Sequence, residues 1–310
     1  MNSMKYWIAL EQTIGIGPAS LIEIHQSLQK SGISLSDLVS LSPAEITEEC
    51  RFSEKIASAI AGLGRFTESI EEDYFRLIDA GIEVIAFFSD QYPARLKEML
   101  GNTIPPFLYV LGNAGLLQST CVAILGDRDV SDKGEMISFS AARELTRHGI
   151  CVASGLAKGA ECIAHRASLI SGGTTIAFIP SGIFHLKVPE ILQDVFDPER
   201  IAIVSQFYPT REANRFLAYA RNRTICALAR AVYIVEAPIE GGIFEAAKSA
   251  HGLKVPLFTT EYAEYPKNAG GNRIILKDMN GIPVHGRMEG TMIVPNMDRI
   301  IGAAKFGIAR

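Results

Sequence analysis

Glycine, serine and basic residues follow several short apolar runs of the sequence, at the points where predicted strands end. The segment 126–131 follows the run Val122–Leu125, and the segment 154–159 follows Cys151–Ala153. Backbone amides beside glycine can be approached closely, and the first turn of a helix adds unpaired N–H groups and positive dipole character. Such turns can bind phosphate. The residues to which we assign this role are Gly126, Arg128, Ser131, Ser154, Gly155, Lys158, Gly182, Lys187, Gly241 and Gly242.

The same residue types also occur at strand-to-helix turns for reasons of turn geometry alone. Here five such turns are predicted to meet at one edge of a parallel sheet, and Arg128, Lys158 and Lys187 add positive charge to them. Ligands of open parallel sheets bind beyond the carboxyl ends of the strands. The combination favours an anion-binding edge over turn geometry alone.

An arginine-rich helical segment is the second signal in the sequence. Arg221, Asn222 and Arg223 are consecutive, and the aromatic residues Phe216 and Tyr219 lie upstream of them. The planar guanidinium group binds phosphate oxygens through two parallel hydrogen bonds, and aromatic faces stack on unpaired bases. We therefore assign Arg221, Asn222 and Arg223 to phosphate contact.

Residue patterns that would indicate catalysis are missing from the sequence. Glu236 follows the next predicted strand, and we expect a structural role or the orientation of the arginines rather than a role in a reaction. His165 lies within a predicted helix, where a single histidine is more often a packing residue than a base. The glycine loop after Leu125 departs from GxGxxG, and neither a Walker A lysine motif nor a Ser-His-Asp order is present. The sequence predicts no catalytic residue, cofactor or metal.

The charge of the chain is distributed unevenly. Net charge is −4, which by itself argues against a nucleic-acid partner. The segment 36–90 holds 12 acidic and 4 basic residues, whereas the segment 205–230 holds five arginines and one glutamate. Because a polyanion responds to charge within a Debye length of ~8–10 Å, the arginine cluster matters more than the sum.

Two patterns of hydrophobic residues divide the chain. Apolar residues recur at helical spacing over residues 1–80, and the sequence Ser42-Pro43-Ala44-Glu45 is typical of a helix N-terminus. From Gly81 onwards, short apolar runs alternate with helical segments, which predicts a doubly wound, mostly parallel α/β sheet with helices on both faces. The predicted strands are Val84–Phe88, Phe107–Leu111, Val122–Leu125, Cys151–Ala153, Thr175–Ile179, Ile201–Val204, Ala231–Val235 and Lys254–Phe258.

These patterns predict a small helical domain over residues 1–80, similar to SAM and helix-hairpin-helix modules, a Rossmann-like domain over residues 81–290 and a short tail over residues 291–310 without a winged helix. The five cysteines are widely spaced and show no CxxC pair, as in a reduced cytoplasmic protein. The apolar runs are far shorter than the ~20 residues that span a bilayer, and we expect no contact with a membrane.

The motifs together resemble the DprA/Smf family of DNA-processing proteins, which have an extended Rossmann-like domain. The resemblance covers residues 92–275, and the helical N-terminus is similar to the small domain of many members. It rests on the order of the segments Gly126–Gly134, Ser154–His165, Pro180–Pro189, Phe216–Arg223, Val235–Ala250 and Gly271-Asn272.

The resemblance implies a function. Members of this family bind single-stranded DNA without sequence preference, protect it and help to load the RecA recombinase, chiefly during natural transformation. They have no established catalytic activity, and homodimers are usual. By resemblance, Gly126, Arg128 and Ser131 belong to one phosphate-contacting loop and Ser154 and Gly155 to a second. Arg221, Asn222 and Arg223 then form an arginine wall.

Several positions depart from the family pattern. The usual Gly-Ser-Arg is replaced by Gly126-Asp127-Arg128, so that a carboxylate stands beside the expected phosphate site. The usual Ser-Gly-Ser is replaced by Gly241-Gly242-Ile243, which removes two hydroxyl groups. These changes predict weaker DNA binding than in typical members, or a different ligand.

Two other functions compete with DNA binding. Related Rossmann-like enzymes split nucleoside monophosphates into base and ribose phosphate, and they carry a PGGxGTxxE loop. The segment 241–245 is a distant match that lacks the Gly-Thr and brings its glutamate, Glu245, too early. A regulatory module that binds a small nucleotide on the same edge is the third possibility.

Overall fold

A computed structural model describes residues 4–65 and 67–307 and divides the chain into two compact units. One unit comprises the chain through Tyr92 together with Leu100–Tyr109. The other comprises Pro93–Met99 together with the chain from Val110 onwards. The sequence predicts a division at residue 80. In the structure, the first unit instead extends to Tyr92 and includes Leu100–Tyr109. The chain enters the second unit at Pro93, returns to the first unit at Leu100 and leaves it again after Tyr109. Because it crosses between the units more than once, no single change in composition marks the boundary.

The first unit is mainly helical, as predicted. Ser42 accepts a hydrogen bond from the Glu45 amide, while the Glu45 carboxylate accepts one from the Ser42 amide; this reciprocal cap starts a helix with Pro43 at its first position. The elements are α1 (Met4–Glu11), α2 (Pro18–Ser31), α3 (Leu35–Leu38), α4 (Pro43–Cys50), α5 (Glu54–Ala61), α6 (Thr67–Asp79) and β1 (Ile82–Ala86).

From Ala94 onwards, strands and helices largely alternate along the chain. The elements from Ala94 onwards are α7 (Ala94–Leu100), β2 (Phe107–Gly112), β3 (Cys121–Leu125), α8 (Asp132–Arg147), β4 (Cys151–Gly155), α9 (Ala160–Ile170), β5 (Thr175–Phe178), α10 (Glu190–Gln193), β6 (Ile201–Ser205), α11 (Arg215–Leu228), β7 (Ala231–Ile234), α12 (Gly242–Gly252), β8 (Leu257–Thr260), α13 (Gly270–Asp278), β9 (Ile282–Val284), β10 (Gly286–Glu289), β11 (Met292–Pro295) and α14 (Asp298–Phe306).

Nine strands form one sheet in the order β1-β2-β6-β5-β4-β3-β7-β8-β9. The pairings from β6 to β9 are parallel, and β3 to β7 are buried along their whole length. This confirms the predicted α/β class, because strands that are apolar throughout need cover on both faces. The chain adds β4, β5 and β6 on one side of β3 and then β7, β8 and β9 on the other. The strand order therefore reverses between β3 and β7, where open α/β sheets bind ligands.

The last described elements belong to the core of the second unit, which corrects the prediction of a separate tail over residues 291–310. Ile300 and Ile301 of α14 are buried in one cluster with Val122 and Tyr233 of the central strands. The sequence patterns do not predict the antiparallel hairpin of β10 and β11 that precedes α14. Each hairpin strand has four residues, and β10 is exposed throughout, so neither shows an apolar alternation.

None of the described helices is long and apolar enough to span a membrane. All five cysteines are free and buried.

The burial of α14 leads to a stability prediction. Ile300 is 0% exposed, and we expect Ile300→Ala to lower the free energy of unfolding by about 2–5 kcal/mol, because truncation leaves a cavity in the core. The neighbouring side chain of Arg299 is exposed, and Arg299→Ala should change it by less than about 0.5 kcal/mol. Urea denaturation measures both. If both substitutions changed the free energy of unfolding by the same small amount, α14 would not be part of the core.

Candidate nucleic-acid interface

A cleft of about 320 Å³ opens at the carboxyl edge of the sheet, where the strand order reverses. Loops that follow β3, β4 and β7 meet the first two turns of α11 and the start of α12 there. The cleft is lined by Gly126, Asp127, Arg128, Ala157, Glu161, Arg215, Ala218, Tyr219, Arg221, Asn222, Pro238, Glu240, Gly241, Gly242 and Ile243.

Close packing of two loops shapes one side of the cleft. A Cβ atom on Gly126 would lie 2.7 Å from Cβ of Ala160, and one on Gly159 would lie 2.4 Å from the carbonyl oxygen of Arg128. Gly159 also has φ +85°, in the left-handed region that favours glycine. The Asp127 amide donates to the Glu236 carbonyl (3.0 Å), which extends the pairing of β3 and β7 beyond the strands. The loop after β3 is thus fixed from both sides.

Arg221 and Glu161 form a buried ion pair under the cleft. Nη1 of Arg221 lies 3.5 Å from Oε2 of Glu161, and the two side chains are 5% and 1% exposed. The same carboxylate oxygen accepts a hydrogen bond from the Ala157 amide at 3.0 Å. A Cβ atom on Gly155 would lie 1.3 Å from Nη1 of Arg221, so only glycine leaves room for the guanidinium group. Gly155 therefore accommodates the arginine instead of contacting a ligand.

Three polar atoms beside the cleft have no hydrogen-bond partner among the described residues. They are Nε and Nη1 of Arg221 and Oδ1 of Asn222. The other end of the Asn222 amide donates to the Gly242 carbonyl at 3.0 Å and so ties α11 to the start of α12. Nη1 has its ion pair with Glu161, so Nε of Arg221 and Oδ1 of Asn222 are the two atoms whose bonding solvent or a ligand would complete.

His165 lies below Arg221 and is fully buried. Burial lowers the pKa of His165 to about 4, and the nearby Arg221 adds to this, although the hydrogen bond to the Gly155 carbonyl opposes it. The ring is therefore neutral near pH 7. Nε2 donates to the Gly155 carbonyl (2.6 Å), and Nδ1 lies 2.6 Å from the Thr175 hydroxyl. The histidine connects α9 to the sheet, as expected of a packing residue.

The structure brings six of the assigned residues to the cleft: Gly126, Arg128, Arg221, Asn222, Gly241 and Gly242. Gly241 has φ +101° and open space around its Cα, so the start of α12 faces the cleft without obstruction. Arg128 is exposed.

Other assigned groups have structural partners instead, which corrects their predicted contact with phosphate. The Ser154 hydroxyl is buried and donates to the Ile124 carbonyl within the sheet. The Gly182 amide donates to the Arg211 carbonyl at 2.7 Å, and a Cβ atom on Gly182 would lie 2.1 Å from the Tyr208 carbonyl oxygen. These residues serve the packing of strands and loops.

Glu236 is fully buried, but its partners are not arginines. Its carboxylate accepts hydrogen bonds from the amide (2.9 Å) and hydroxyl of Ser131 and from the Tyr262 hydroxyl (2.9 Å). Ser131 in turn accepts from the Gly134 amide and caps α8. Glu236 therefore orients the loop after β3, and the Ser131 hydroxyl is occupied. Glu236 thus has a structural role, and the carboxylate that pairs with Arg221 is Glu161 instead.

Lys158, Lys187 and Arg223 do not line the cleft. Lys158 and Lys187 are exposed, and Arg223 is half-buried on α11. Sequence reasoning gave no site role to Arg215 or Glu161, which do line it. Arg215 lies six positions before Arg221 in the sequence. Glu161 could have been identified from its position in the first turn of a helix that follows a glycine-containing loop.

Residues 83–282, almost two thirds of the chain, match the protein family described as "DNA recombination-mediator protein A". The chain belongs to this family. The DNA processing protein DprA of Streptococcus pneumoniae is 33% identical over 180 residues, which is 55% of this chain and 62% of that protein. Protein Smf of Synechocystis is 28% identical over 327 residues, covering 97% of this chain and 78% of that protein.

Two solved structures of family members share the fold. The S. pneumoniae DprA structure has a TM-score of 0.61 at 24% identity and covers 86% of this chain and 95% of that chain. The Helicobacter pylori DprA structure, described by its single-stranded DNA binding mode, has a TM-score of 0.55 at 23% identity. It covers 65% of this chain and 90% of that chain.

The formal charges of the residues that line the cleft balance one another. Arg128, Arg215 and Arg221 face three acidic residues, Asp127, Glu161 and Glu240, so the formal charges of the lining cancel. Glu161 neutralises Arg221 below the surface. Arg128 and Arg215 are therefore the exposed cations for a polyanion, and Asp127 and Glu240 weaken their field.

The Arg221–Glu161 pair leads to a prediction about stability. We expect Arg221→Leu to lower the free energy of unfolding by about 3–5 kcal/mol, because the Glu161 carboxylate stays buried without a counterion. The double variant Glu161→Gln/Arg221→Leu should recover part of this loss. Urea denaturation gives the values, with Arg128→Leu as an exposed arginine control within about 0.5 kcal/mol of wild type. A loss below about 1 kcal/mol for Arg221→Leu would contradict the role of the pair.

Proposed function

We propose that this protein binds single-stranded DNA in the carboxyl-edge cleft, protects it and helps to load the RecA recombinase during DNA processing. The observation that carries the proposal is the meeting of Arg128, Arg215, Tyr219 and the N-terminus of α12 where the strand order reverses. Membership of the DNA recombination-mediator protein A family and the DNA-binding description of the H. pylori relative support it.

The chemistry of the cleft suits an unpaired strand. Unpaired amides at the start of α12 and the guanidinium groups of Arg128 and Arg215 offer donors to phosphate oxygens. Tyr219 lines the cleft, and Phe216 is 65% exposed nearby on α11 with Arg215 4.9 Å from its ring centre. Aromatic faces accept any base by stacking, so binding would not depend on sequence.

Non-catalytic action in a homodimer completes the proposal. The alternative of a phosphoribohydrolase needs the glutamate of a PGGxGTxxE motif, which would lie later in the chain than Glu245. Here Glu245 accepts a hydrogen bond from Lys248 Nζ at 2.7 Å and does not line the cleft. Incubation with a panel of nucleoside monophosphates should release no free base, and a metal-independent release would favour the enzyme. Light scattering should give twice the mass of the 310-residue chain.

Loss of both exposed arginines tests the DNA site. We expect Arg128→Gln/Arg215→Gln to weaken binding to a single-stranded oligonucleotide roughly tenfold to hundredfold at low salt, because two charge-assisted contacts to phosphate are removed. Fluorescence anisotropy at several salt concentrations should also show a slope of log K against log salt that is ~1.4 shallower.

A matched control uses two exposed basic residues that do not line the cleft. Lys277→Gln/Arg299→Gln makes the same change in net charge and should keep the wild-type affinity and slope. Equal weakening in both double variants would mean that the effect comes from net charge and not from this site. Because Arg221 supports the fold, it is left unchanged here.

The carboxylate beside the proposed phosphate site offers a gain-of-function test. Asp127→Ser should strengthen binding of single-stranded DNA severalfold at low salt, because it removes a negative charge from the lining of the cleft. Serine can still accept the hydrogen bond that Oδ1 of Asp127 takes from the Asp129 amide at 3.2 Å. Asp129→Ser, an adjacent change outside the lining, is the control. Identical affinities in the two variants would place the DNA elsewhere.

A further inference from the structure

A cavity that lies wholly within the second unit opens at the amino edge of the sheet, away from the proposed DNA site. Its volume is about 810 Å³, and it is lined by residues at the starts of β7, β8 and β9 and by the last turn of α14. Thr120 lines this cavity and Gly126 lines the carboxyl-edge cleft. Six residues of extended chain separate the two positions, which corresponds to ~20 Å.

The charges around this cavity all have one sign. Arg95, Arg230, Lys254 and Lys305 line it together with His251, and no Asp or Glu is found among the described residues of the lining. The carboxyl-edge cleft, in contrast, combines arginines with an equal number of acidic residues. The amino-edge cavity is therefore more cationic than the cleft that the family resemblance indicates.

Two of these basic groups are held by carbonyl oxygens at helix ends. Arg95 donates from Nε and Nη2 to the Ala229 carbonyl at 3.1 and 2.8 Å, and His251 Nδ1 lies 2.9 Å from the Met279 carbonyl. These contacts fix the side chains against the wall of the cavity. Contact with the carbonyl ends of α11 and α13 accounts for these two residues without a ligand.

The same explanation does not extend to the other cations. The side chains of Arg230, Lys254 and Lys305 make no hydrogen bond or ion pair with any described residue. Burial and the adjacent Arg230 lower the pKa of Arg95, although Glu98 and Cys121 oppose this. Like charges held together cost free energy unless an anion lies between them.

The wall between these cations is apolar. Val255, Leu257, Ile282 and Ala304 contribute to it, and the aromatic ring of Phe306 stands at the rim with 88% of its surface exposed. A hydrated inorganic anion would not contact such an apolar surface. A ligand with a phosphate group and an apolar or aromatic body would contact both the cations and the apolar wall. The volume lies in the range of ~300–1,000 Å³ typical of small-molecule sites.

We propose that the amino-edge cavity binds a small organic phosphate of the size and charge of a nucleoside diphosphate. Arg230, Lys254 and Lys305 contact the phosphates, Arg95 forms the fixed cationic wall, and the neutral part of the ligand lies on the apolar surface. This site is independent of DNA binding at the carboxyl edge, and it makes the protein responsive to a soluble metabolite.

Isothermal titration calorimetry of the full chain with ADP, pyrophosphate and adenosine tests the proposal. We expect saturable binding of ADP, weaker binding of pyrophosphate and none of adenosine. Arg230→Gln/Lys254→Gln should weaken ADP binding by ~30-fold or more, because a charge-assisted hydrogen bond contributes roughly a factor of ten. Both side chains are exposed, so the variant should keep the wild-type melting temperature.

Two controls locate the site. Lys277→Gln/Arg299→Gln removes the same charge outside the cavity, and Arg128→Gln removes a cation of the opposite edge; both should bind ADP as the wild type does. No heat with ADP at millimolar concentration, or unchanged ADP affinity in Arg230→Gln/Lys254→Gln, would overturn the proposal. So would binding of an acidic peptide but not of ADP. Loss of oligonucleotide binding in that variant, with ADP binding intact, would assign the cavity to nucleic acid instead.

Discussion

The carboxyl edge of this sheet depends on keeping one charged pair out of water. Arg221 on α11 and Glu161 on α9 are both buried, and the guanidinium group fits only because Gly155 has no side chain. Removing either charge leaves the other unpaired in a medium that solvates it poorly, so the two helices and the end of β4 hold one another in place. The surface that would meet DNA is built on this internal pair, both members of which also line the cleft from below.

The two edges of the sheet show opposite uses of charge. At the carboxyl edge, buried carboxylates hold loops and arginines in place, and few cations remain exposed. At the amino edge, cations surround an apolar wall without acidic partners in the described lining. A net charge of −4 predicts neither arrangement, because each depends on which side chains the strand order brings together.

Much of the fold could be predicted from the sequence, and less of the site. Six of the eight predicted strands overlap the observed ones closely, because apolar β-branched runs are a direct signal; β1 is shifted to Ile82–Ala86 and β8 to Leu257–Thr260. The partners of Ser131, Ser154 and Glu236 could not be predicted, because a hydroxyl or carboxylate at a turn binds ligand or protein equally well. Only the three-dimensional packing decides between the two.

The position of α14 has a consequence for synthesis on the ribosome. Val122 and Tyr233 share a core cluster with Ile300, although some 180 residues separate the first from the last. A nascent chain that has exposed β3 to β6 still lacks β7, which pairs with β3, and the helix that covers both. Pairing over such a sequence distance is slow, and apolar strand edges stay open in the meantime. The core of this unit can therefore close only after α14 has been synthesised.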